Sequence, residues 1–194
     1  MKGSNTVRSY NCTAEDAKRM LVEGNGRYVA SKAASLDASE EILKASGLGQ
    51  NPYAVIITCS DSRVIPEAIF SAGIGDLFVI RAAGNVVGQI QLGSIEYAAE
   101  HLGTGLIVVL GHDHCGAVEA ALHHHNDGYI RCITDEIMKA VGGEKDDTKA
   151  CRLNVMHSCE VIESSLQIKS GEKNSGLTVI GAVYHLESGK VEFL

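Results

Sequence analysis

Residues 106–116 read LIVVLGHDHCG, an apolar run that ends abruptly in a cluster of polar and sulfur-containing side chains. Residues 53–63, YAVIITCSDSR, have the same form. Short runs that are apolar throughout are typical of strands buried on both faces. In an open parallel sheet the carboxyl ends of the strands meet at one edge, where ligands bind. The two stretches therefore predict a parallel sheet with a functional site at that edge.

The rest of the chain alternates between strand and helix patterns. Residues 77–80 (LFVI) and 177–184 (LTVIGAVY) predict two more strands, and residues 190–194 predict a short fifth one. Apolar residues at helical spacing predict a helix over residues 93–102, another after the second polar cluster, and one or two more within residues 130–170. This alternation predicts an α/β fold with a mostly parallel β-sheet flanked by helices.

Two helices are predicted before the first strand. Thr13, followed three residues later by Asp16, matches a capping box and predicts a helix start. A second amphipathic segment covers residues 38–45. The pattern alone does not place the first of these helices, or the last strand, relative to the sheet.

Length, composition and charge limit the class of protein. The chain has 194 residues, of which 45% are hydrophobic and 21% charged, and this predicts one domain over residues 1–194 with a flexible N-terminus over residues 1–12. Because 17 basic residues stand against 24 acidic ones, the net charge is −7, which argues against a nucleic-acid or anionic-membrane partner. No apolar run approaches the roughly 20 residues that cross a bilayer, and the N-terminus lacks a secretion signal, so we expect a cytoplasmic protein.

Three residues at the predicted sheet edge have the side chains of a metal site. Cys59 follows the first strand, and His112 and Cys115 follow a later one, three residues apart at the start of a helix. Two thiolates and one imidazole suit zinc, and three protein ligands leave a fourth tetrahedral position open, as in catalytic zinc sites. The alternative is that both cysteines are simply buried and His112 is an ordinary helix N-terminal residue.

Asp61 and Arg63 lie beside the first candidate ligand. Asp61 is close enough to accept a proton from water on the metal, and a bidentate pair with Arg63 would keep its carboxylate ionised and away from the ion. Asp61 could instead occupy the fourth ligand position and close the site. The plain alternative is an exposed ion pair that contributes little.

The remaining cysteines and histidines show no ligand spacing. Without a secretion signal, the six cysteines of the chain are expected to be reduced thiols. The tract His123-His124-His125 is interpreted as a solvated helix end rather than a metal site. Four thiols are expected to be structural or exposed: Cys12, Cys132, Cys151 and Cys159.

The chain resembles the β-class carbonic anhydrases over nearly its whole length. The pattern CxDxR followed by HxxC is highly specific to that family. The segments that carry the resemblance are GNGRY at 24–28, CSDSRV at 59–64, RAAGN at 81–85, GSIEYA at 93–98, GHDHCGAV at 111–118 and GAVYHLESGKV at 181–191. The resemblance implies a parallel sheet with an N-terminal helical arm that wraps a partner subunit, so that the active site lies at a homodimer interface.

The resemblance also implies roles for particular residues. Those matching Cys59, His112 and Cys115 bind one zinc ion per subunit, and those matching Asp61 and Arg63 form the catalytic dyad. The residues matched to the substrate pocket are Gln50, Phe78, Ala83, Tyr97 and Gly116. Ala83 is a departure, because plant-type members have valine there, and it implies a wider pocket.

The function implied is zinc-dependent reversible hydration of carbon dioxide to bicarbonate and a proton, through a zinc-bound hydroxide. The substrate is then a small molecule, and the expected assembly is a homodimer or a dimer-based higher oligomer. Two alternatives stay open: a hydrolase of COS or CS₂ on the same site, and a catalytically silent zinc-binding module.

Overall fold

A computed structural model describes residues 12–32, 36–125 and 127–194. The predicted flexible segment at residues 1–12 falls almost wholly outside these ranges. The helices are α1 (Ala14–Val29), α2 (Glu40–Ser46), α3 (Pro66–Ile69), α4 (Gln89–His101), α5 (Gly116–Leu122), α6 (Arg131–Val141), α7 (Asp147–Glu163) and α8 (Leu166–Ser175). The strands are β1 (Ala54–Thr58), β2 (Leu77–Arg81), β3 (Leu106–His112), β4 (Thr178–Tyr184) and β5 (Val191–Phe193).

The five strands form one sheet in the order β2-β1-β3-β4-β5. The first four are parallel, and β5 pairs antiparallel with β4. Thr58, the last residue of β1, pairs with Arg81 on one side and with Leu110 on the other. The residues that follow these strands therefore emerge at one edge, and the predicted α/β fold with a mostly parallel sheet is confirmed.

Helices cover both faces of the sheet. Every residue of β1 and β3 is buried, and alternate residues of β1 point to opposite faces, as the period of two requires. Val55 and Ile57 pack with α4, α7 and α8, whereas Ala54 and Ile56 pack with α1 and α3. Burial on both faces explains why these strands have no polar alternation in the sequence.

Helix α1, the candidate for the predicted N-terminal arm, begins with the predicted capping box. The Thr13 hydroxyl accepts from Asp16 N, and the Asp16 carboxylate accepts from Thr13 N. Near the other end, the buried Asn25 side chain donates to the carbonyls of Ile69 and Gly189 and accepts from Val191 N. These bonds tie the arm to α3 and to the β4–β5 turn, a placement that the sequence pattern could not supply.

The helical region after α5 differs from the prediction. We expected one or two helices within residues 130–170, but three are present, α6, α7 and α8, and α8 extends to Ser175. Polar turns that interrupt one long amphipathic pattern explain the difference, since Asp146 and Ser165 each cap a new helix with their side chains. The strand predicted at residues 190–194 is confirmed as β5.

Gly24 is required by a close approach of α1 to the chain after α3. A Cβ at this position would collide with the carbonyl group of Phe70. We expect Gly24→Ala to lower the free energy of unfolding by about 1–3 kcal/mol, as overpacking does. Gly26→Ala is the matched control, because a Cβ there meets nothing within 4 Å and should raise stability by about 0.5–1 kcal/mol. Equal effects of the two variants in urea unfolding would contradict this account of the arm.

None of the helices in the described ranges is long and apolar enough to cross a membrane.

Candidate metal centre

Cys59, His112 and Cys115 meet at the carboxyl edge of the sheet. Cys59 directly follows β1, His112 is the last residue of β3, and Cys115 is the N-cap of α5. The Sγ atoms of the two cysteines are 3.9 Å apart, and the three ligand atoms all lie within 4.8 Å of one another. All three residues are buried, with at most 5% of their surface exposed. Within the described ranges this is the one cluster of three or more His, Cys, Asp or Glu side chains close enough to hold an ion.

The donor set fits a metal ion. His112 Nδ1 donates to the carbonyl oxygen of Asp113 at 2.8 Å, so the other ring nitrogen is the one directed into the cluster. That atom, Nε2, is buried and has no hydrogen-bond partner among the described residues. A buried nitrogen without a partner is costly unless a ligand completes it. With two sulfur atoms beside it, the arrangement matches the Cys₂His donor set of open zinc sites.

The pKa values of the two thiols of the cluster shift in opposite directions. A hydrogen bond from Cys115 lowers the pKa of Cys59 to about 4, against the opposing effect of burial. The same contact and burial raise the pKa of Cys115 well above its usual range. Burial lowers the pKa of His112, but the nearby Cys59 and the Asp113 carbonyl outweigh it, and the net shift is upward. A dication would remove this conflict, because it stabilises two thiolates and a neutral imidazole together.

Backbone amides support the Cys59 sulfur. Gly84 N donates to it at 3.2 Å and Asp61 N at 3.4 Å. Gly84 has a φ of +65°, and a Cβ at this position would lie 2.8 Å from Ile137 Cδ1. Glycine is therefore needed here both for the backbone conformation and for space.

Asp61 and Arg63 form a bidentate pair beside the cluster. Arg63 Nε lies 2.9 Å from Asp61 Oδ1, and Nη2 lies 2.7 Å from Oδ2. The Arg63 guanidinium holds the pKa of the Asp61 carboxyl well below its usual range. Asp61 Oδ2 is 3.9 Å from His112 Nε2, so the carboxylate borders the cluster while both of its oxygens accept from Arg63.

Arg81 is a site residue whose position we did not predict. Its Nη2 donates to the carbonyl of Asp61 at 2.6 Å and its Nε to the carbonyl of Cys59 at 3.2 Å. These bonds hold the backbone of the segment that carries both the first candidate ligand and the acidic residue. Two signals in the sequence marked Arg81, although neither gave its role: it follows an apolar strand, and it begins the segment RAAGN at 81–85.

The five predicted substrate residues fall into two groups. Ala83 adjoins Gly84, whose amide donates to Cys59, and Gly116 follows Cys115, so both adjoin the Cys-His-Cys cluster. Three others lie elsewhere in the chain: Gln50, Phe78 and Tyr97.

These three residues are separated from the cluster by the length of a strand. Gln50 precedes β1 whereas Cys59 follows it, and five strand residues span roughly 16 Å. Phe78 lies near the start of β2, with its ring 6.2 Å from that of Tyr97 on α4. Tyr97 is 46% exposed, whereas Phe78 is partly buried against the core.

The other cysteines and the histidine tract take no part in the cluster. Burial raises the pKa values of Cys151 and Cys159 to about 12, which makes both thiols unreactive. Cys132 is exposed on α6. Residues 123–125 are exposed and follow the end of α5.

Comparison with known proteins agrees with this geometry. The family model for carbonic anhydrase matches residues 54–191. A crystal structure of the β-carbonic anhydrase CafA from Aspergillus fumigatus matches with a TM-score of 0.72 at 28% identity, over 79% of this chain and 80% of that one. The chain belongs to the β-carbonic anhydrase family.

Curated relatives support the same assignment. Carbonic anhydrase 2 of Mycobacterium tuberculosis is 40% identical over 185 residues, which cover 90% of this chain and 89% of the relative. The carbonic anhydrase of Mycolicibacterium smegmatis is 37% identical over 190 residues and 91% of each chain. The predicted family and enzyme class are thus confirmed, and the Cys-His-Cys cluster is the candidate metal centre of a β-carbonic anhydrase.

Proposed function

We propose that this β-carbonic anhydrase catalyses the zinc-dependent, reversible hydration of carbon dioxide to bicarbonate and a proton. The observation that carries the proposal is the buried Cys59–His112–Cys115 cluster with the Asp61 carboxylate, paired with Arg63, beside it. One zinc ion per subunit would be held by these three side chains. Zinc supplies Lewis acidity, which lowers the pKa of a ligated water from ~15.7 towards ~7.

Asp61 has the role of hydrogen-bond acceptor for water at the site. Its two oxygens are held by Arg63, which keeps the carboxylate ionised and fixes its direction. The same pair keeps Asp61 from serving as a fourth ligand, because detaching it would break two charge-assisted hydrogen bonds. Arg63 is in turn held by the carbonyl of His114, at 3.2 Å. The dyad thus orients water and leaves a coordination position for it.

Substrate would bind in a pocket formed by two subunits. Ala83 and Gly116 adjoin the cluster within one chain, whereas Gln50, Phe78 and Tyr97 lie towards the opposite end of the strands. We place the latter three in the pocket of a partner subunit, which accounts for the exposure of Tyr97 in one chain. The assembly is then a homodimer or a dimer-based oligomer. Full activity of a species that sedimentation shows to be monomeric would contradict this arrangement.

A second candidate substrate is favoured by one residue. Ala83 is a small side chain beside the backbone amide that supports Cys59, and it leaves room for the larger sulfur atom of COS or CS₂. Either reaction would use the same zinc ligands and the same dyad.

A comparison of the turnover of CO₂ and COS by the same protein tests the proposed substrate. Zinc-loaded protein should release protons from CO₂ in a stopped-flow indicator assay at a rate far above its turnover of COS. Turnover of COS that exceeds that of CO₂ would transfer the assignment to the sulfur substrates. Zinc bound without turnover of either substrate would indicate a silent zinc-binding module.

A cytoplasmic location is part of the proposal. Its support is that all six cysteines are free thiols, as is typical of reducing compartments. Recovery of the protein in an oxidising compartment on cell fractionation would contradict it.

A further inference from the structure

The two-residue loop between β3 and Cys115, the N-cap of α5, is held from several directions. His114 has a φ of +52°, a left-handed conformation that is uncommon for a residue other than glycine. Its amide donates to Asp147 Oδ2 at 3.3 Å, and its carbonyl accepts from Arg63 Nη2 at 3.2 Å. Such a conformation persists only when the surroundings enforce it. The loop is thus built to bring His112 and Cys115 to the same side.

Asp113, the other residue of this loop, is bound to the segment that follows β4. Its amide donates to the Tyr184 carbonyl at 3.2 Å, and its Oδ1 accepts from Leu186 N at 2.9 Å. Its Oδ2 lies 3.2 Å from His185 Nδ1. The Asp113 side chain is 17% exposed. Three contacts therefore fix the Asp113 peptide, whose carbonyl oxygen accepts from His112 Nδ1.

His185 is in turn held in place by residues on the side opposite Asp113. Its Nε2 lies 3.5 Å from Glu192 Oε2, and Arg152 on α7 donates to the same oxygen at 2.7 Å. Its amide donates to the Lys190 carbonyl at 2.8 Å, which closes the β4–β5 turn. A continuous chain of contacts thus runs from α7 through the turn to Asp113.

We propose that Asp113 is a positioning residue for His112, with His185 as its support. Because a carbonyl only accepts, the Asp113 carbonyl keeps a proton on His112 Nδ1 and leaves Nε2 to bind the ion. Partners of this kind orient a histidine ligand and raise its affinity for metal. The inference rests on the proposed zinc site, to which it adds two residues outside the ligand set and the dyad.

Zinc affinity of the full-length protein tests this role. With the zinc ion alone as probe, in competition with a chromophoric chelator, Asp113→Ala should bind about 10- to 100-fold more weakly than wild type. Asp113→Asn should bind within about threefold of wild type, since its amide oxygen can still accept from Leu186 N. Glu187→Ala, an exposed change in the same turn, is the control and should bind zinc as wild type does.

A second variant, His185→Ala, and a second measurement, urea unfolding, distinguish positioning of His112 from a general loss of stability. His185→Ala removes one support of Asp113 and should weaken zinc binding by about 2- to 12-fold. Urea unfolding of the zinc-free variants separates positioning from stability, because positioning predicts weaker zinc binding by protein that is still folded. The inference is overturned if both alanine variants bind zinc like wild type, or if Asp113→Asn loses as much affinity as Asp113→Ala. Failure of the wild type to bind zinc would instead overturn the proposed function.

Discussion

Replacing Cys59 with serine should abolish both zinc binding and CO₂ hydration. The Cys59 sulfur is buried, lies 3.9 Å from the second sulfur of the cluster and has the lower thiol pKa, about 4. A serine hydroxyl is a poor zinc ligand and stays protonated near neutral pH, so two donors would remain in a site that needs three. We expect about one zinc per wild-type chain, close to none in Cys59→Ser, and hydration at the uncatalysed rate. Elemental analysis and a stopped-flow indicator assay measure the two effects.

Cys132→Ser is the matched control for this experiment. Cys132 is a free thiol exposed on α6, so its replacement should leave zinc content and hydration at wild-type levels. Retention of full activity by Cys59→Ser, or equal losses in the two variants, would show that the assigned cluster does not hold the catalytic metal.

Asp61→Asn should remove most of the hydration activity while zinc stays bound. The amide keeps the shape of the carboxylate but loses the charge and presents a donor where water needs an acceptor. We expect kcat to fall by about 10²- to 10⁴-fold, the range that acid–base groups contribute. Arg63 holds the pKa of Asp61 well below its usual range, so the wild-type carboxylate stays ionised at neutral and alkaline pH. The ratio of the variant's kcat to that of the wild type should therefore stay constant from about pH 6 to 9.

An ion pair on the surface supplies the control for Asp61. Asp135 accepts from Arg131 Nε at 3.0 Å, and both side chains are more than half exposed. Asp135→Asn should have little effect, because exposed pairs contribute little. If Asp61→Asn loses its zinc, Asp61 belongs to the ligand set, and if it keeps wild-type kcat, the carboxylate has no catalytic role.

The fold and the central cluster were predictable for the same physical reason. Strands buried on both faces leave long apolar runs, and a parallel sheet brings the ends of such runs together. Cys59 and His112 could therefore be placed near one another without any structure. The position of α1 could not be predicted, since it depends on the Asn25 hydrogen bonds and on the close approach at Gly24, and neither produces a periodic signal.

Supporting residues of the site were harder to predict because they act through the backbone. Arg81 donates to carbonyl oxygens, and Asp113 presents one. Because every residue type has a backbone carbonyl, a single sequence does not reveal which residues accept such hydrogen bonds. His185 reaches Asp113 only through the β4–β5 turn, a tertiary contact that a sequence pattern does not specify.

Hydration of CO₂ by the wild-type protein before and after removal of zinc tests the central claim most directly. Chelation should bring the rate of proton release down to the uncatalysed value, and adding back about one equivalent of zinc per chain should restore it. Catalysis that survives complete removal of zinc, or zinc-loaded protein that hydrates CO₂ no faster than buffer, would contradict the account.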